Sequence, residues 1–159
     1  MDYLRISEYT WWQLTTIIKT LKKERSDLMK MLIVDDDVST RQLLNAILMS
    51  FGTCDLAADG REAVELVSRA IEKKEIYDII FLDIMMPELN GHEALLEIRN
   101  LEDINNIHIG NGSKIVMQTC LDDKDNILSS FREGCEYYIM KPYNSQKIIE
   151  LMKKMGYNL

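Results

Sequence analysis

The stretch MLIVDDD, residues 31–37, runs from four apolar residues directly into three consecutive aspartates. Two further stretches repeat this pattern, IIFLDIMMPELNG at 79–91 and YYIMKP at 137–142, and IVMQT at 115–119 ends in a hydroxyl instead of a charge. Short apolar runs that end in a polar residue are typical of buried parallel strands whose carboxyl ends open into a crevice. The sequence therefore predicts a parallel α/β sheet with polar residues gathered at one edge.

Five polar residues end these runs and form the candidate site: Asp35, Asp36, Asp83, Thr119 and Lys141. Ligands of open α/β sheets bind outside the carboxyl ends of the strands, where the strand order reverses. Because the five residues follow four strands, we expect them to converge there. Carboxylates held together repel by about 4 kcal/mol per pair at about 4 Å and an effective dielectric of about 20. A divalent cation such as Mg²⁺, which takes carboxylate and phosphate oxygens, would relieve that repulsion.

Strand and helix patterns alternate from residue 31 onward, which predicts five strands and five helices in a parallel sheet covered on both faces. The predicted strands are 31–34, 54–58, 79–82, 115–118 and 137–140. The first helix is expected to be capped near Ser39 or Thr40 and to stop at Gly52. The other predicted helices are 61–74, 91–100, 124–133 and about 145–155. Residues 101–113 are expected to form a long polar loop.

Residues 1–30 lie outside this alternation and are predicted to be a helical extension of a domain that spans 31–159. An amphipathic helix from about residue 10 to about residue 27 is indicated by apolar residues at helical spacing: Leu14, Ile17, Ile18 and Leu21. Trp11 and Trp12 beside it could dock a partner, mediate a dimer or lie on a membrane surface. The alternatives are a helix that packs back on the domain, a flexible segment, or a native start at Met29 or Met31.

Composition excludes several classes of function. The 159 residues suffice for one domain with a modest extension, and a net charge of −7 argues against nucleic acid, which needs a clustered basic face. Cys54, Cys120 and Cys135 are an odd number without metal-ligand spacing, which indicates reduced thiols. Neither a secretory signal nor an apolar stretch of about 20 residues is present. We therefore expect a cytoplasmic protein that does not cross a membrane, and contact of the N-terminal helix with a membrane surface is the less favoured alternative.

Four motifs in order make the chain resemble a known family. They are LIVDDD (32–37), FLDIMMPELNG (81–91), VMQT (116–119) and YYIMKP (137–142). From Met31 to the C-terminus the chain is similar to the bacterial two-component response-regulator receiver domain, of the stand-alone kind typified by the chemotaxis receiver. The resemblance implies a flavodoxin-like, doubly wound parallel sheet of five strands in the order 2-1-3-4-5.

The resemblance assigns roles to residues of the acidic site. Asp83 would be the aspartate that accepts the phosphoryl group. Mg²⁺ would be bound by Asp36, Asp83 and the main-chain carbonyl of Met85, with Asp35 acting mainly through a metal-bound water. A carboxylate attacks an anionic phosphoryl group poorly unless positive charge stabilises the transferring group, so this chemistry calls for Mg²⁺.

The remaining implied roles fall on residues of the last two strands. Thr119 and Lys141 would contact phosphoryl oxygens, Lys141 as a compact positive charge and Thr119 through a rotatable hydroxyl. Tyr138 occupies the position of the family's switch aromatic, and because Tyr137 and Tyr138 alternate faces, one of them is expected in the core. The resemblance also implies a cis peptide bond between Lys141 and Pro142.

The implied function is that of a switch rather than a metabolic enzyme. A sensor histidine kinase or a phosphotransfer protein would be the donor, and the phosphorylated domain would bind a downstream protein through helix 124–133, strand 137–140 and the last helix. Only nine residues follow Glu150, so no DNA-binding output domain is expected. A dimer through the N-terminal helix is a further alternative.

Three positions near the site bear on how long a phosphoryl group would stay in place. Met85 and Leu121 occupy positions that tune dephosphorylation in this family. Neither side chain can hydrogen-bond the attacking water, which predicts slow self-dephosphorylation. Cys120 stands where the family usually has Ala or Gly, and its thiol either narrows access, makes the site redox-sensitive or only fills space.

A phosphatase of the haloacid dehalogenase type is the alternative from the enzyme class. Such enzymes also use an aspartate after the first strand, a threonine and a lysine, and here Asp35 and Asp37 follow MLIV. That interpretation leaves Asp83 and the following MMPELNG unexplained, and it lacks an acidic pair after the lysine. The receiver interpretation is therefore preferred.

Overall fold

A five-stranded parallel sheet lies between two layers of helices. The structure, a computed structural model, describes residues 10, 13, 15–16, 28–108, 110–120 and 132–157. The strands are β1 (Met29–Val34), β2 (Gly52–Ala57), β3 (Ile79–Asp83), β4 (Lys114–Thr119) and β5 (Tyr137–Met140). The described helices are α1 (Val38–Leu48), α2 (Gly60–Glu72), α3 (Gly91–Ile104) and α4 (Ser145–Lys154). The strand order β2-β1-β3-β4-β5 confirms the expected topology.

Both faces of the sheet are covered, which explains why its central strands read as unbroken apolar runs. Along β1, Leu32 and Val34 belong to one buried cluster, and Met31 and Ile33 belong to another. The first cluster includes buried residues of α2 and α3, and the second includes buried residues of α1 and α4. Every residue of β3 is buried. The expectation of helices on both faces is therefore confirmed.

The first strand and the first helix begin earlier than the sequence pattern indicated. β1 begins at Met29, because Met29 and Lys30 continue the parallel pairing with β2. The predicted cap near Ser39 or Thr40 is wrong, because Asp37 is the cap and the helix begins at Val38. The predicted stop at Gly52 is also wrong, because the helix ends at Leu48 and Gly52 begins β2. The Asp37 carboxylate accepts the Thr40 N–H at 2.8 Å and so caps the helix.

The third helix ends later than predicted. α3 continues to Ile104 rather than stopping at 100, so the first four residues of the predicted loop 101–113 are helical. The loop was predicted from the polar composition of the segment, to which Glu102 contributes a charge. Its carboxylate is nevertheless buried, because Arg99 Nη1 donates to it at 2.6 Å and the Ser113 N–H donates at 2.8 Å. The buried charge of Glu102 is thus satisfied by a partner distant in sequence, Ser113, as well as by Arg99, whereas the local sequence pattern predicts an exposed residue.

Two predicted helices lie mostly outside the described residues. The predicted helix 124–133 is described only at its last two residues, and most of the extension 1–30 lies outside as well. Within the extension, the Thr10 N–H donates to Gln13 Oε1 at 2.8 Å and the Gln13 N–H donates to Thr10 Oγ1 at 3.4 Å. This reciprocal pair is a capping box, a feature typical of helix N-termini, and the described residues 13 and 15–16 are helical. The division between extension and domain stays a prediction.

The carboxyl ends of four strands meet at one edge of the sheet, and the pairing register sets how closely they approach. β1 ends level with the last residues of β3. Asp83 at the end of β3 pairs with Gln118, the residue before Thr119. Thr119 pairs in turn with Met140, the residue before Lys141. The residues that directly follow these strands therefore lie within one or two register positions of one another.

Gly91 lets α3 start directly against the end of β3. Its N–H donates to the Ile84 carbonyl at 3.0 Å. A Cβ at this position would lie 2.1 Å from the main-chain oxygen of Asp83, far closer than any side chain tolerates. The glycine thus permits a close backbone approach, which sets the path of the chain just after Asp83.

Glu88, in the loop between β3 and α3, has a left-handed backbone conformation with a φ of 64°. Such a conformation costs a residue with a Cβ about 1 kcal/mol, whereas glycine adopts it readily. We therefore expect Glu88→Gly to raise the free energy of unfolding by about 0.5 kcal/mol or more, measured by urea denaturation. Glu88→Ala keeps the Cβ and should give no gain, so an equal gain in both variants would contradict this explanation.

Candidate functional site

Asp35, Asp83 and Lys141 are in direct contact at the carboxyl edge of the sheet. The Lys141 ammonium lies 2.7 Å from Asp35 Oδ2 and 3.0 Å from Asp83 Oδ2. Both carboxylates are buried, and most of the lysine side chain is buried with them. One cation therefore bridges two carboxylates that leave different strands.

Asp36 completes an acidic cluster with Asp35 and Asp83. Each of the three offers a carboxylate oxygen, and these oxygens lie within 4.8 Å of one another. Backbone groups orient two of them, since the Asp37 N–H donates to Asp35 Oδ1 at 2.9 Å and the Met85 N–H donates to Asp83 Oδ1 at 3.3 Å. The three carboxylates outnumber the single ammonium of Lys141. Their oxygen donors and residual negative charge fit a hard divalent cation.

The electrostatics of the site favour a second cation near Asp83 in addition to Lys141. Burial raises the pKa of Asp83, although the hydrogen bond and the charge of Lys141 act to lower it. Burial acts to lower the pKa of Lys141, but its hydrogen bonds to Asp35 and Asp83 outweigh that effect and the net pKa is raised. At neutral pH the lysine is therefore a fixed positive charge, and the ionised Asp83 would gain from a second cation.

Thr119 lies at the same edge, with its hydroxyl bonded outside the acidic cluster. The buried hydroxyl donates to the Cys120 carbonyl at 3.2 Å. The main-chain carbonyl of Thr119 accepts the Lys141 N–H at 2.7 Å, and the Lys141–Pro142 peptide bond is cis, as the resemblance implied. The backbone of Thr119 thus helps to place the lysine. A hydroxyl rotates about one bond, so its donor can move to another acceptor.

Met85 and Tyr138 both have large exposed side chains. The Met85 side chain follows Asp83 by two residues and is 67% exposed. Tyr138 is 41% exposed on β5, whereas Tyr137 packs against the buried cluster beside α1 and α4. Tyr137 is thus the more buried of the two, although it is only partly buried and packs against the core cluster from its side.

Two polar residues next to the site were missed by sequence reasoning, Gln118 and Tyr143. Gln118 is fully buried in β4, and Tyr143 follows the cis bond to Pro142. The Tyr143 hydroxyl donates to Gln118 Oε1 at 2.5 Å, and Gln118 Nε2 donates to the Val34 carbonyl at 3.4 Å. A signal was available, because a glutamine inside the apolar run IVMQT must find hydrogen-bond partners once it is buried.

Comparison with known proteins places this geometry in a family. The response regulator receiver domain family matches residues 31–153. The chemotaxis protein CheY of Thermotoga maritima is 30% identical over 130 residues, which are 80% of this chain and 97% of that protein. The probable transcriptional regulator ycf27 of Guillardia theta is 33% identical over 120 residues, or 75% of this chain. The chain spans 42% of the length of that regulator.

Solved structures share the same fold. The receiver domain of the histidine kinase CKI1 from Arabidopsis thaliana, solved in complex with Mg²⁺, has a TM-score of 0.69 at 22% identity, covering 82% of this chain and 95% of that domain. A CheY-like receiver domain protein from Methanospirillum hungatei has a TM-score of 0.66 at 29% identity, covering 80% and 93%. These matches favour the receiver over the phosphatase interpretation. The chain belongs to the response regulator receiver domain family, whose members are phosphorelay signalling domains that interact with histidine kinases rather than conventional enzymes.

Proposed function

We propose that this protein is a phosphorylation switch in which Asp83 accepts a phosphoryl group from a sensor histidine kinase or a phosphotransfer protein. One observation carries the proposal: the Lys141 ammonium lies 3.0 Å from Asp83, beside a cluster of three carboxylates. A carboxylate is an effective acceptor for an anionic group only where positive charge is already in place. Membership of the receiver family supports the same assignment.

The proposed step is a displacement at phosphorus. A carboxylate oxygen of Asp83 attacks the phosphorus atom while the bond from phosphorus to the donor's imidazole nitrogen breaks. That nitrogen keeps the electron pair, and Asp83 becomes an acyl phosphate. Lys141 stabilises the negative charge on the transferring oxygens, and because its ammonium already contacts Asp83, it needs no large movement to do so.

The acidic cluster is proposed to hold Mg²⁺. Asp36, Asp83 and the main-chain carbonyl of Met85 would bind the ion, and Asp35 would act mainly through a water. When bound, Mg²⁺ supplies positive charge to the carboxylate and phosphoryl oxygens. The residual negative charge of the cluster and the oxygen spacing within 4.8 Å support this role. Asp36 is exposed, so the acidic cluster is open to solvent on that side.

Thr119 and Tyr138 are proposed to transmit the signal. The Thr119 hydroxyl would leave the Cys120 carbonyl for a phosphoryl oxygen, and Tyr138 would change its rotamer in response. The resulting surface, formed by 124–133, β5 and α4, would bind a downstream protein. Exposed Tyr138 and Met140, each 41% exposed on β5, support this face as an output surface.

The N-terminal extension is proposed to be a separate helical segment attached to a receiver domain of residues 31–159. The capping box at Thr10 and Gln13 supports a helix that begins there. This helix would serve as a contact for a partner or a second copy of the chain. No helix among the described residues combines the length and hydrophobicity needed to cross a membrane.

Intact-mass measurement after incubation with acetyl phosphate tests the proposal. A gain of about 80 Da that requires Mg²⁺ is expected, the mass of one phosphoryl group. Asp83→Ala should abolish this gain, whereas under the phosphatase interpretation Asp35→Ala would be the variant that abolishes it. No gain in the wild type would overturn the proposal in favour of a binding module that does not depend on phosphorylation.

Met85 makes the phosphorylated state long-lived under this proposal. Met85 follows Asp83 by two residues, and its exposed side chain cannot hydrogen-bond an attacking water. Leu121, the other position of interest, lies outside the described residues. We expect a half-life of many minutes or longer, followed by intact mass after removal of acetyl phosphate. Met85→Asn introduces a hydrogen-bonding amide and should shorten it several-fold. A wild-type half-life of seconds would contradict this expectation.

A further inference from the structure

Gln118 forms hydrogen bonds at or just beyond the ends of the other three strands that build the acidic site. Its amide nitrogen donates to the carbonyl of Val34, the last residue of β1, at 3.4 Å. Its main-chain carbonyl accepts the N–H of Ile84, the residue after β3, at 3.1 Å. Its amide oxygen accepts from the hydroxyl of Tyr143, two residues beyond the site lysine, at 2.5 Å. One buried side chain and its backbone therefore link β1, β3, β4 and the segment that follows β5.

The directions of these hydrogen bonds follow from chemistry. A main-chain carbonyl can only accept, so the amide nitrogen of Gln118 faces Val34 and the amide oxygen faces Tyr143. The tyrosine hydroxyl must therefore donate. Burial raises the pKa of Tyr143, and the charges of Asp35 and Asp83 raise it further, so the hydroxyl keeps its proton at neutral pH.

The residues on either side of Pro142 are both hydrogen-bonded to β4. On one side the Lys141 N–H donates to the Thr119 carbonyl at 2.7 Å. On the other side Tyr143 is bonded to Gln118, the neighbour of Thr119 in β4. Proline between them fixes one backbone torsion, so little freedom remains between the two attachment points.

We propose that Gln118 and Tyr143 form a positioning pair that holds the backbone of Lys141 and thereby sets the rate of phosphoryl transfer to Asp83. The inference rests on the proposed function of Asp83. Lys141 reaches Asp35 at 2.7 Å and Asp83 at 3.0 Å. Small displacements of a group that stabilises a transition state cost large factors in rate, so an anchor two residues away is expected to matter.

A structural role and a positioning role make different predictions for stability and rate. Tyr143→Phe keeps the ring and removes the hydroxyl, which leaves the buried oxygen of Gln118 without its donor and lowers stability. Adding Gln118→Met removes that orphaned oxygen but also the longer hydrogen bond to the Val34 carbonyl, 3.4 Å, so the double variant should regain part of the lost stability. If the pair were only structural, the rate would return with the stability.

The test measures the phosphorylation rate with acetyl phosphate at saturating Mg²⁺, together with Mg²⁺ affinity by calorimetry and stability in urea. We expect Tyr143→Phe to react about tenfold more slowly, with Mg²⁺ affinity within about twofold of the wild type. The double variant should stay slow although its stability partly recovers. Tyr157→Phe is the matched control, because that hydroxyl accepts from Lys114 at 3.1 Å, at the start of β4, and its loss should leave the rate unchanged.

Two results would overturn the positioning pair alone. One is a phosphorylation rate of Tyr143→Phe within about twofold of the wild-type rate, because a displaced catalytic group should change the rate by a much larger factor. The other is recovery of the wild-type rate in the double variant. A wild-type protein that gains no phosphoryl group would overturn the proposed function of Asp83 and this inference with it.

Discussion

Replacing Lys141 with methionine is expected to slow phosphorylation about a hundredfold, the usual cost of removing one preorganised electrostatic group. The ammonium contacts Asp35 and Asp83 at 2.7 and 3.0 Å, so its loss leaves the acceptor without its fixed cation. The same change leaves two buried carboxylates unpaired in the metal-free protein. We therefore expect the free energy of unfolding to fall by about 2 kcal/mol in urea denaturation without Mg²⁺.

The Lys141→Arg variant separates the effect of the positive charge from the effect of the ammonium's shape. Arginine keeps the positive charge but presents a planar fork in place of a compact ammonium. It should recover most of the stability and only part of the rate. A Lys141→Met variant that phosphorylates as fast as the wild type would contradict the role given to this lysine.

An Asp36→Asn variant is expected to melt at a higher temperature than the wild type without Mg²⁺, and yet to lose Mg²⁺-dependent phosphorylation. Asp36 is exposed, and no cation in the described part of the chain forms an ion pair with it, while it lies close to the carboxylates of Asp35 and Asp83. Removing its charge relieves repulsion, which should raise Tm by about 2–4 °C. Mg²⁺ should raise the Tm of the wild type by mass action and have little effect on the variant.

Asp37→Asn is the matched control for this prediction. It removes the same charge one residue later, and asparagine can still cap α1 in place of the carboxylate that accepts from Thr40. Phosphorylation and its dependence on Mg²⁺ should therefore persist. An Asp36→Asn protein that melts below the wild type without Mg²⁺, or that still responds to Mg²⁺, would contradict the assignment of Asp36 as a ligand.

The sheet and the core of the site were predictable because both depend on short-range patterns. A strand buried on both faces is an apolar run, and a polar residue that ends it must lie at the edge of the sheet. This reasoning identified Asp35, Asp83 and Lys141, which the structure brings into contact. The strand order came from the family resemblance, since the runs themselves do not say which strands are neighbours.

The missed features depend on partners far apart in sequence. Gln118 and Tyr143 are 25 residues apart and meet only because β4 and β5, which Tyr143 follows, are adjacent in the sheet. Glu102 is buried because Ser113 and Arg99 satisfy its carboxylate, which extends α3 beyond its predicted end. Local polarity alone assigns residues of this kind to solvent.

The most direct test of the central claim identifies the phosphorylated residue itself. The protein is phosphorylated with acetyl phosphate and Mg²⁺, treated with borohydride to convert the acyl phosphate to a stable alcohol, digested and sequenced by mass spectrometry. We expect modification at Asp83 and at no other carboxylate. Modification at Asp35 or Asp36, with Asp83 unchanged, would contradict it.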